Sequence, residues 1–280
     1  QNAIDKGLNP DLSEQYSLSI QLSPDGFSFC IFDTARNKYT GIVAYTFPFA
    51  PAPVLCDIIT HIVGQSQWLK RSYKQIRLIY ESAINTLVPN SLFDEDKSEE
   101  YLRLNHHIAD DVSVRHDYLS LPDAENVWTI PKNVEDLLYK HFPDIHILNH
   151  TSTLIESVLL QNKNREAEET VFVNVRTGAF DIVILKGNQL LFSNAFQFRA
   201  KEDFIYYVLF VFEQLSRFSD ACGADIPRWL RWKLDAFKDD NDSLQKFGAE
   251  FIGQLCERLI QGGAPSLHFY TLNKANLTLN

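Results

Sequence analysis

Residues 18–32 read LSIQLSPDGFSFCIF, which is two apolar runs joined by a Pro-Asp-Gly turn. The runs Leu18–Ser23 and Phe27–Phe32 have the length and composition of β-strands. Pro24 presets φ for the turn and Gly26 accepts a positive φ, so the stretch predicts a β-hairpin. Its second run is largely apolar, which is typical of a strand buried on both faces.

The hairpin begins an order of elements that occurs twice in the chain. Residues 39–47 predict a third strand, and residues 51–68 predict a helix that opens with proline. The second half starts the same way, with predicted strands at 171–175, 180–185 and 190–198 and a predicted helix at 201–218. Internal repeats of this kind are an early guide to architecture, and they indicate a duplicated α/β unit.

Residue landmarks support the duplication. Gly26 and Gly178 stand in the first turn of each half, and Phe47 and Phe196 close the third strand. The spacing between the paired landmarks is nearly constant, although two ordinary meanders could coincide in the same way.

The segment between the halves is less regular. The pattern predicts a polar helix over 94–107 and short strand-like pieces over 112–128. It then predicts a helix over 131–142, a strand at 145–148, and a helix capped by Thr151 or Ser152. The charged and polar stretch 161–169 follows, so we predict one domain over residues 1–160 and another over 161–280.

Composition excludes several classes of function. The chain has 280 residues, 45% of them hydrophobic, and a formal charge of −10, which disfavours a nucleic-acid partner. No apolar run approaches the roughly 20 residues that span a bilayer. The four cysteines form no C-x-x-C pair, which fits a reducing compartment. We therefore expect a cytoplasmic protein without a membrane span.

The repeated organisation resembles the actin-like ATPase superfamily, which includes actin, the heat-shock chaperone ATPase domain and sugar kinases. More narrowly, the chain looks like an uncharacterised bacterial family of that fold. The superfamily duplicates a βββαβαβ unit into two lobes around a nucleotide cleft. The resemblance implies a two-lobed, actin-like (ribonuclease H-like) α/β fold.

The first hairpin of the superfamily reads apolar-Asp-apolar-Gly-Thr, and its turn holds phosphate. The corresponding residues here are IQLS followed by PDG, with Gln21 in place of the acid and Ser23 in place of the first glycine. The resemblance therefore assigns Ser23, Asp25 and Gly26 to the phosphate side of a nucleotide site.

The second hairpin usually reads apolar-Asp-apolar-Gly-Gly-Gly-Thr-x-Asp, and residues 173–181 here read VNVRTGAFD. Asn174 again replaces the acid, and Thr177 replaces a glycine, while Gly178 and Asp181 fit the pattern. The resemblance assigns these four residues to the nucleotide site as well.

Two further assignments leave alternatives open. Arg176 also replaces a glycine, and it is expected to pair either with a phosphate or with Asp25. The pair Gly262-Gly263 corresponds to the adenosine-side glycines of the superfamily, but the end of a C-terminal helix explains it equally well.

The missing acids determine the predicted chemistry. Mg²⁺ is bound by carboxylates, water and phosphate oxygens, and the amides of Gln21 and Asn174 remove both charges. We therefore predict no catalytic or metal-binding residues and no tightly held cofactor, with weak binding of Mg·ATP left open. The favoured function is a non-catalytic binding or scaffold protein for a nucleotide or another protein. The alternative is an active ATP-dependent hydrolase or small-molecule kinase that uses Asp25, Asp33 or Asp181.

Overall fold

The structure, a computed structural model, describes residues 2–162, 169–200 and 203–211. The chain divides into two compact units. The first is Gln1–Phe172 together with Val183–Ser193, and the second contains Val173–Ile182 and the described residues from Asn194 onward.

A six-stranded sheet organises the first unit, in the order β1-β4-β3-β2-β5-β9. Its strands are β1 (Asn2–Ile4), β2 (Tyr16–Ser23), β3 (Gly26–Asp33), β4 (Lys38–Thr46), β5 (Gln75–Tyr80) and β9 (Ile145–Asn149). The strands β2, β3 and β4 form the predicted antiparallel meander, and β5 and β9 extend it as parallel strands. The short edge strand β1 was not predicted from the sequence.

Five α-helices lie within the described residues: α1 (Ala52–Gln65), α2 (Ser98–Arg103), α3 (Lys132–His141), α4 (His150–Asn162) and α5 (203–211). The helix α1 begins after Pro51 and buries Leu55 and Ile59 in the same core as the sheet residues Leu18 and Phe27. The helix α3 adds its own apolar side chains to this core. None of these helices is long and apolar enough to cross a membrane.

A second sheet of the first unit has the order β6-β8-β7. Its strands are β6 (Asn85–Pro89), β7 (Val112–Leu119) and β8 (Ala124–Pro131). The strands predicted within 112–128 are confirmed, but they are longer than the short pieces expected, because β7 and β8 pair over their full length as one antiparallel hairpin. The polar helix predicted over 94–107 is also shorter, since α2 ends at Arg103.

The second half of the chain has the predicted strand, strand, strand, helix order. Its strands β10 (Glu169–Arg176), β11 (Ala179–Lys186) and β12 (Gln189–Gln197) form one sheet and are followed by α5. In the second unit, the buried ring of Phe180 contacts the rings of Phe196, Phe198, Phe204 and Tyr207, with centroids 4.6–6.5 Å away. The predicted elements beyond residue 211 lie outside the described residues.

Candidate functional site: two hairpin turns

The turn between β2 and β3 is held by its own side chains. Ser23 pairs with Gly26 across a two-residue turn made of Pro24 and Asp25. The Ser23 hydroxyl donates to Asp25 Oδ1 at 2.7 Å and lies 3.3 Å from the Gly26 carbonyl oxygen. One carboxylate oxygen of Asp25 is therefore already engaged within the turn.

The loop after β4 supports the same turn through the backbone. Phe47 N donates to Asp25 O at 3.0 Å, and Ala50 N donates to Pro24 O at 2.7 Å. The positive φ predicted at Gly26 is not found, because this residue begins β3 and has an ordinary strand position. A Cβ there would meet only the flexible Ser23 hydroxyl closely, at 3.2 Å.

The turn between β10 and β11 repeats this backbone arrangement in the second unit. Thr177 and Gly178 form a two-residue exposed turn, and Gly178 has the left-handed φ of 68° that glycine tolerates best. Phe198 N donates to Gly178 O at 2.9 Å. By this contact Gly178 corresponds to Asp25 and not to Gly26.

The hydrogen bond from Phe198 also corrects the predicted equivalence of Phe47 and Phe196. Phe47 and Phe198 each follow the last residue of the third strand of their meander, so Phe196 is not the equivalent residue. The correction preserves the match between the two amides. Gln21 stands two residues before the end of β2, and Asn174 stands two residues before the end of β10.

The side chains around the two amides differ. Gln21 is exposed and lies opposite Ser28 in the ladder of β2 and β3. Asn174, in contrast, donates from Nδ2 to Asp181 Oδ2 at 2.9 Å. The first turn thus has a neutral pair where the second has an amide bonded to an acid.

Asp181 is enclosed by a guanidinium group as well. Arg176 Nε donates to Asp181 Oδ2 and its terminal nitrogen donates to Oδ1, both at 2.8 Å. The Asp181 side chain is 2% exposed and that of Arg176 is 13% exposed. Such a bidentate pair is strong and geometrically specific. A phosphate and Asp25 were the predicted partners of Arg176, and the structure adds Asp181 as a partner.

Asp33 lies at the opposite end of β3 from the first turn. It follows Gly26 by seven positions, which is roughly 23 Å of extended strand. Its Oδ1 accepts from the backbone N–H groups of Ala35 and Arg36, each at 3.0 Å. Asp33 is therefore a turn-capping residue and does not reach Ser23 or Asp25.

The side-chain oxygens at the two turns do not suit a magnesium ion. Mg²⁺ requires near-octahedral oxygen ligands, usually including one or two carboxylates. Asp25 accepts from Ser23, and Asp181 is bound by a guanidinium group and an amide. Within the described residues, no group of three or more His, Cys, Asp or Glu side chains is arranged to hold a metal ion. Gly262 and Gly263 lie outside the described residues.

The sequence did not reveal a buried polar cluster in the first unit, made of Asp117, Asn126, Asn149 and Ser152. Asp117 Oδ2 accepts from the Ser152 hydroxyl at 2.6 Å and from Asn149 N at 2.8 Å. Asn149 Oδ1 accepts from Thr151 N at 2.8 Å, so Asn149 caps α4 and the predicted caps Thr151 and Ser152 lie inside the helix. The two asparagines, which lie within apolar strands, were the sequence feature that could have indicated this cluster.

Solved structures identify the class of protein. The chain is similar to a Bacteroides thetaiotaomicron protein of actin-like ATPase fold and unknown function. The two share 27% sequence identity with a TM-score of 0.70, over 75% of this chain and 80% of the other. The chain therefore has the actin-like ATPase fold that its repeated meander predicted.

The family follows from the sequence match. The profile of the family called protein of unknown function DUF3822 matches residues 5–221, which is most of the chain, and the protein belongs to this family. The match includes both hairpin turns and ends before Gly262 and Gly263, so it gives no support to the adenosine-side assignment of that pair.

The C-terminal stretch is similar to a different family. Residues 207–280 match the methylenetetrahydrofolate reductase profile. A probable NADPH-dependent methylenetetrahydrofolate reductase of Caenorhabditis elegans is 36% identical over 64 residues, covering 22% of this chain and 10% of that protein. The Escherichia coli 5,10-methylenetetrahydrofolate reductase is 31% identical over 67 residues, covering 24% of this chain and 23% of that enzyme. The chain thus spans a quarter or less of these relatives.

Proposed function

We propose that this protein is a non-catalytic member of the actin-like fold that acts as a binding or scaffold protein and does not hydrolyse ATP. The observation that carries the proposal is the enclosure of Asp181 by Arg176 and Asn174. A carboxylate that is buried and paired in this way cannot coordinate Mg²⁺ or orient an attacking water without losing both partners.

The first turn supports the same proposal. Gln21 carries no charge, and Asp25 accepts the Ser23 hydroxyl. The remaining candidate acid of the alternative hydrolase or kinase, Asp33, caps a turn at the far end of its strand. Each acid named for that alternative therefore has a structural partner in the folded chain.

The proposal includes the binding of a ligand without ATP hydrolysis. The turn at Thr177 and Gly178 is exposed, and backbone N–H groups of such turns can bind an anion. The ligand is thus a weakly held nucleotide or a protein partner. No reductase activity is proposed, because the similar stretch covers no more than 23% of the two reductases compared.

A thermal-shift titration with Mg·ATP, combined with a phosphate-release assay, tests the proposal. A ligand at 100 times its dissociation constant stabilises the folded state by about 2.7 kcal/mol. A shift without phosphate release supports nucleotide binding, and no shift at millimolar nucleotide argues against a nucleotide ligand.

Phosphate release by the purified protein would contradict the proposal if it depends on the candidate acids. The control is the double variant Asp25→Asn, Asp181→Asn, prepared in the same way. Release that persists in this variant does not depend on Asp25 or Asp181, whereas release that disappears identifies an active enzyme.

A further inference from the structure

The first unit contains a surface pocket of about 520 Å³ whose residues belong to neither of the two hairpin turns described above. Pockets that bind small molecules commonly have volumes of about 300–1,000 Å³. One wall is the turn between β7 and β8, and the other is the turn between β11 and β12 together with the start of β12. The residues that line the pocket are Leu121, Pro122, Lys186, Asn188, Gln189 and Leu190.

The wall from the β7–β8 turn is held by hydrogen bonds to Asp123. The Tyr118 hydroxyl donates to Asp123 Oδ1 at 3.1 Å, and Asn90 N donates to the Asp123 carbonyl oxygen at 2.9 Å. Asp123 has a left-handed φ of 48°, which aspartate adopts more readily than most residues other than glycine. Leu121 and Pro122, which directly precede it, therefore lie on a turn of fixed conformation.

The opposite wall is held from beneath by a buried amide. Asn162 is 1% exposed, and its Nδ2 donates to the Gly187 carbonyl oxygen at 2.8 Å. The Thr170 hydroxyl donates to Asn162 Oδ1 at 3.4 Å, which orients the amide. Leu190 packs against the apolar cluster that contains Leu119. Both walls are thus preformed, as is usual for ligand sites.

The pocket combines one cation with amide and aliphatic groups. Lys186 Nζ lies 3.7 Å from Glu169 Oε1, which is too long for a hydrogen bond, and the two side chains are 46% and 41% exposed. Because exposed ion pairs of this kind are weak, the three N–H donors of the ammonium group can turn to another anion. The side-chain amides of Asn188 and Gln189 both donate and accept, and the three apolar lining residues offer aliphatic surface.

We propose that this pocket binds a small carboxylate that carries an amide group and an aliphatic side chain, as in an N-acylated amino acid or the C-terminal residue of a peptide. The carboxylate pairs with Lys186 in place of Glu169. The ligand amide bonds to the side-chain amides of the β11–β12 hairpin, and the aliphatic side chain packs against Leu121 and Leu190. None of the residues assigned to a nucleotide site lines this pocket, so the inference goes beyond the proposed function.

An NMR titration of the full chain with N-acetyl-leucine tests the binding. A ligand of this size is expected to have a dissociation constant on the order of 1 mM. Its saturating shifts should concentrate on the backbone amides of residues 120–123 and 186–190. The matched control compound is N-acetyl-leucinamide, which has the same shape without the carboxylate and should bind about tenfold more weakly. Equal binding of the two compounds, or no saturating shifts at about ten times this concentration, would overturn the proposal.

The ion pair gives two variants with opposite expected effects. Lys186→Gln removes the cation, so we expect it to weaken N-acetyl-leucine binding about tenfold. Glu169→Gln removes the acid that competes for Lys186, so we expect it to tighten binding by up to about fivefold. Both side chains are exposed, and neither change should disturb folding. Lys70→Gln, which replaces an exposed lysine elsewhere, should leave the affinity unchanged. Unchanged binding in Lys186→Gln, or weaker binding in Glu169→Gln, would contradict the proposed ligand.

A short peptide that ends in leucine distinguishes the two sources of the carboxylate. If the peptide with a free C-terminus binds about tenfold more tightly than N-acetyl-leucine, the ligand is the C-terminus of a protein, because residues before the last one add contacts. Equal affinity identifies a free acylated amino acid. The same peptide with an amidated C-terminus should bind as weakly as N-acetyl-leucinamide. If it binds as tightly as the free carboxylate form, the pocket does not recognise a carboxylate and the inference is wrong.

Discussion

The two hairpin turns share one backbone plan and differ in their side chains. In both, a phenylalanine N–H that follows the third strand donates to the carbonyl at the tip of the two-residue turn. The turn of the first unit is lined by the neutral residues Gln21 and Ser28. That of the second unit contains the buried pair of Arg176 and Asp181. The two units therefore share this backbone hydrogen bond although the side chains around their turns differ.

The largest expected difference between the turns comes from the buried charge pair. The variant Arg176→Ala leaves Asp181 buried without its cation, so we expect a loss of about 3–5 kcal/mol in the free energy of unfolding. Urea denaturation, followed by hydrogen exchange of the β10–β12 amides, measures this loss and locates it.

Two controls make the comparison sharper. Arg36→Ala removes an arginine whose side chain is 65% exposed and 3.6 Å from Asp33, and exposed pairs contribute about 0–1 kcal/mol. Replacing both Arg176 and Asp181 by Met and Leu should cost less than Arg176→Ala, because it leaves neither charge of the pair buried alone, although Asn174 loses its acceptor Asp181 Oδ2. A loss below about 1 kcal/mol in Arg176→Ala would show that the pair does not hold the second turn.

The turn glycines give an intermediate difference. Gly178 has φ +68°, a conformation that costs other residues roughly 1–2 kcal/mol, so Gly178→Ala should destabilise the second unit by about that amount. Gly26 has no positive φ, and its added Cβ would displace only a hydroxyl. We therefore expect Gly26→Ala to change the unfolding free energy by less than half as much. Equal losses in thermal denaturation would indicate that Gly26 also needs the conformational freedom of glycine, as the sequence predicted.

Apolar patterning predicted both meanders because their strands are long apolar runs interrupted by turn residues. Which positions of the two turns are equivalent was not predictable in the same way. The sequence suggested that Gly26 matches Gly178, because both are turn glycines. The true equivalence depends on the bonds from Phe47 and Phe198, which join residues distant in sequence.

The polar cluster escaped prediction for a related reason. Asp117 and Ser152 meet only after the β7–β8 hairpin, β9 and α4 have packed together. Each of these polar residues is unremarkable in its own segment. The partner of Arg176 was likewise missed, although Asp181 is close in sequence, because the resemblance had assigned that acid to a ligand.

The smallest expected effect concerns the hydroxyl that restrains Asp25. The variant Ser23→Ala removes a bond of 2.7 Å within the first turn, and we expect a loss of about 0.5–1.5 kcal/mol in unfolding free energy. The matched control is Ser17→Ala, a half-buried serine on the same strand. A loss no larger than in this control would mean that backbone bonds alone hold the turn. The variant should not release phosphate from ATP either, because freeing one carboxylate leaves Gln21 neutral and the first turn still without a second acid.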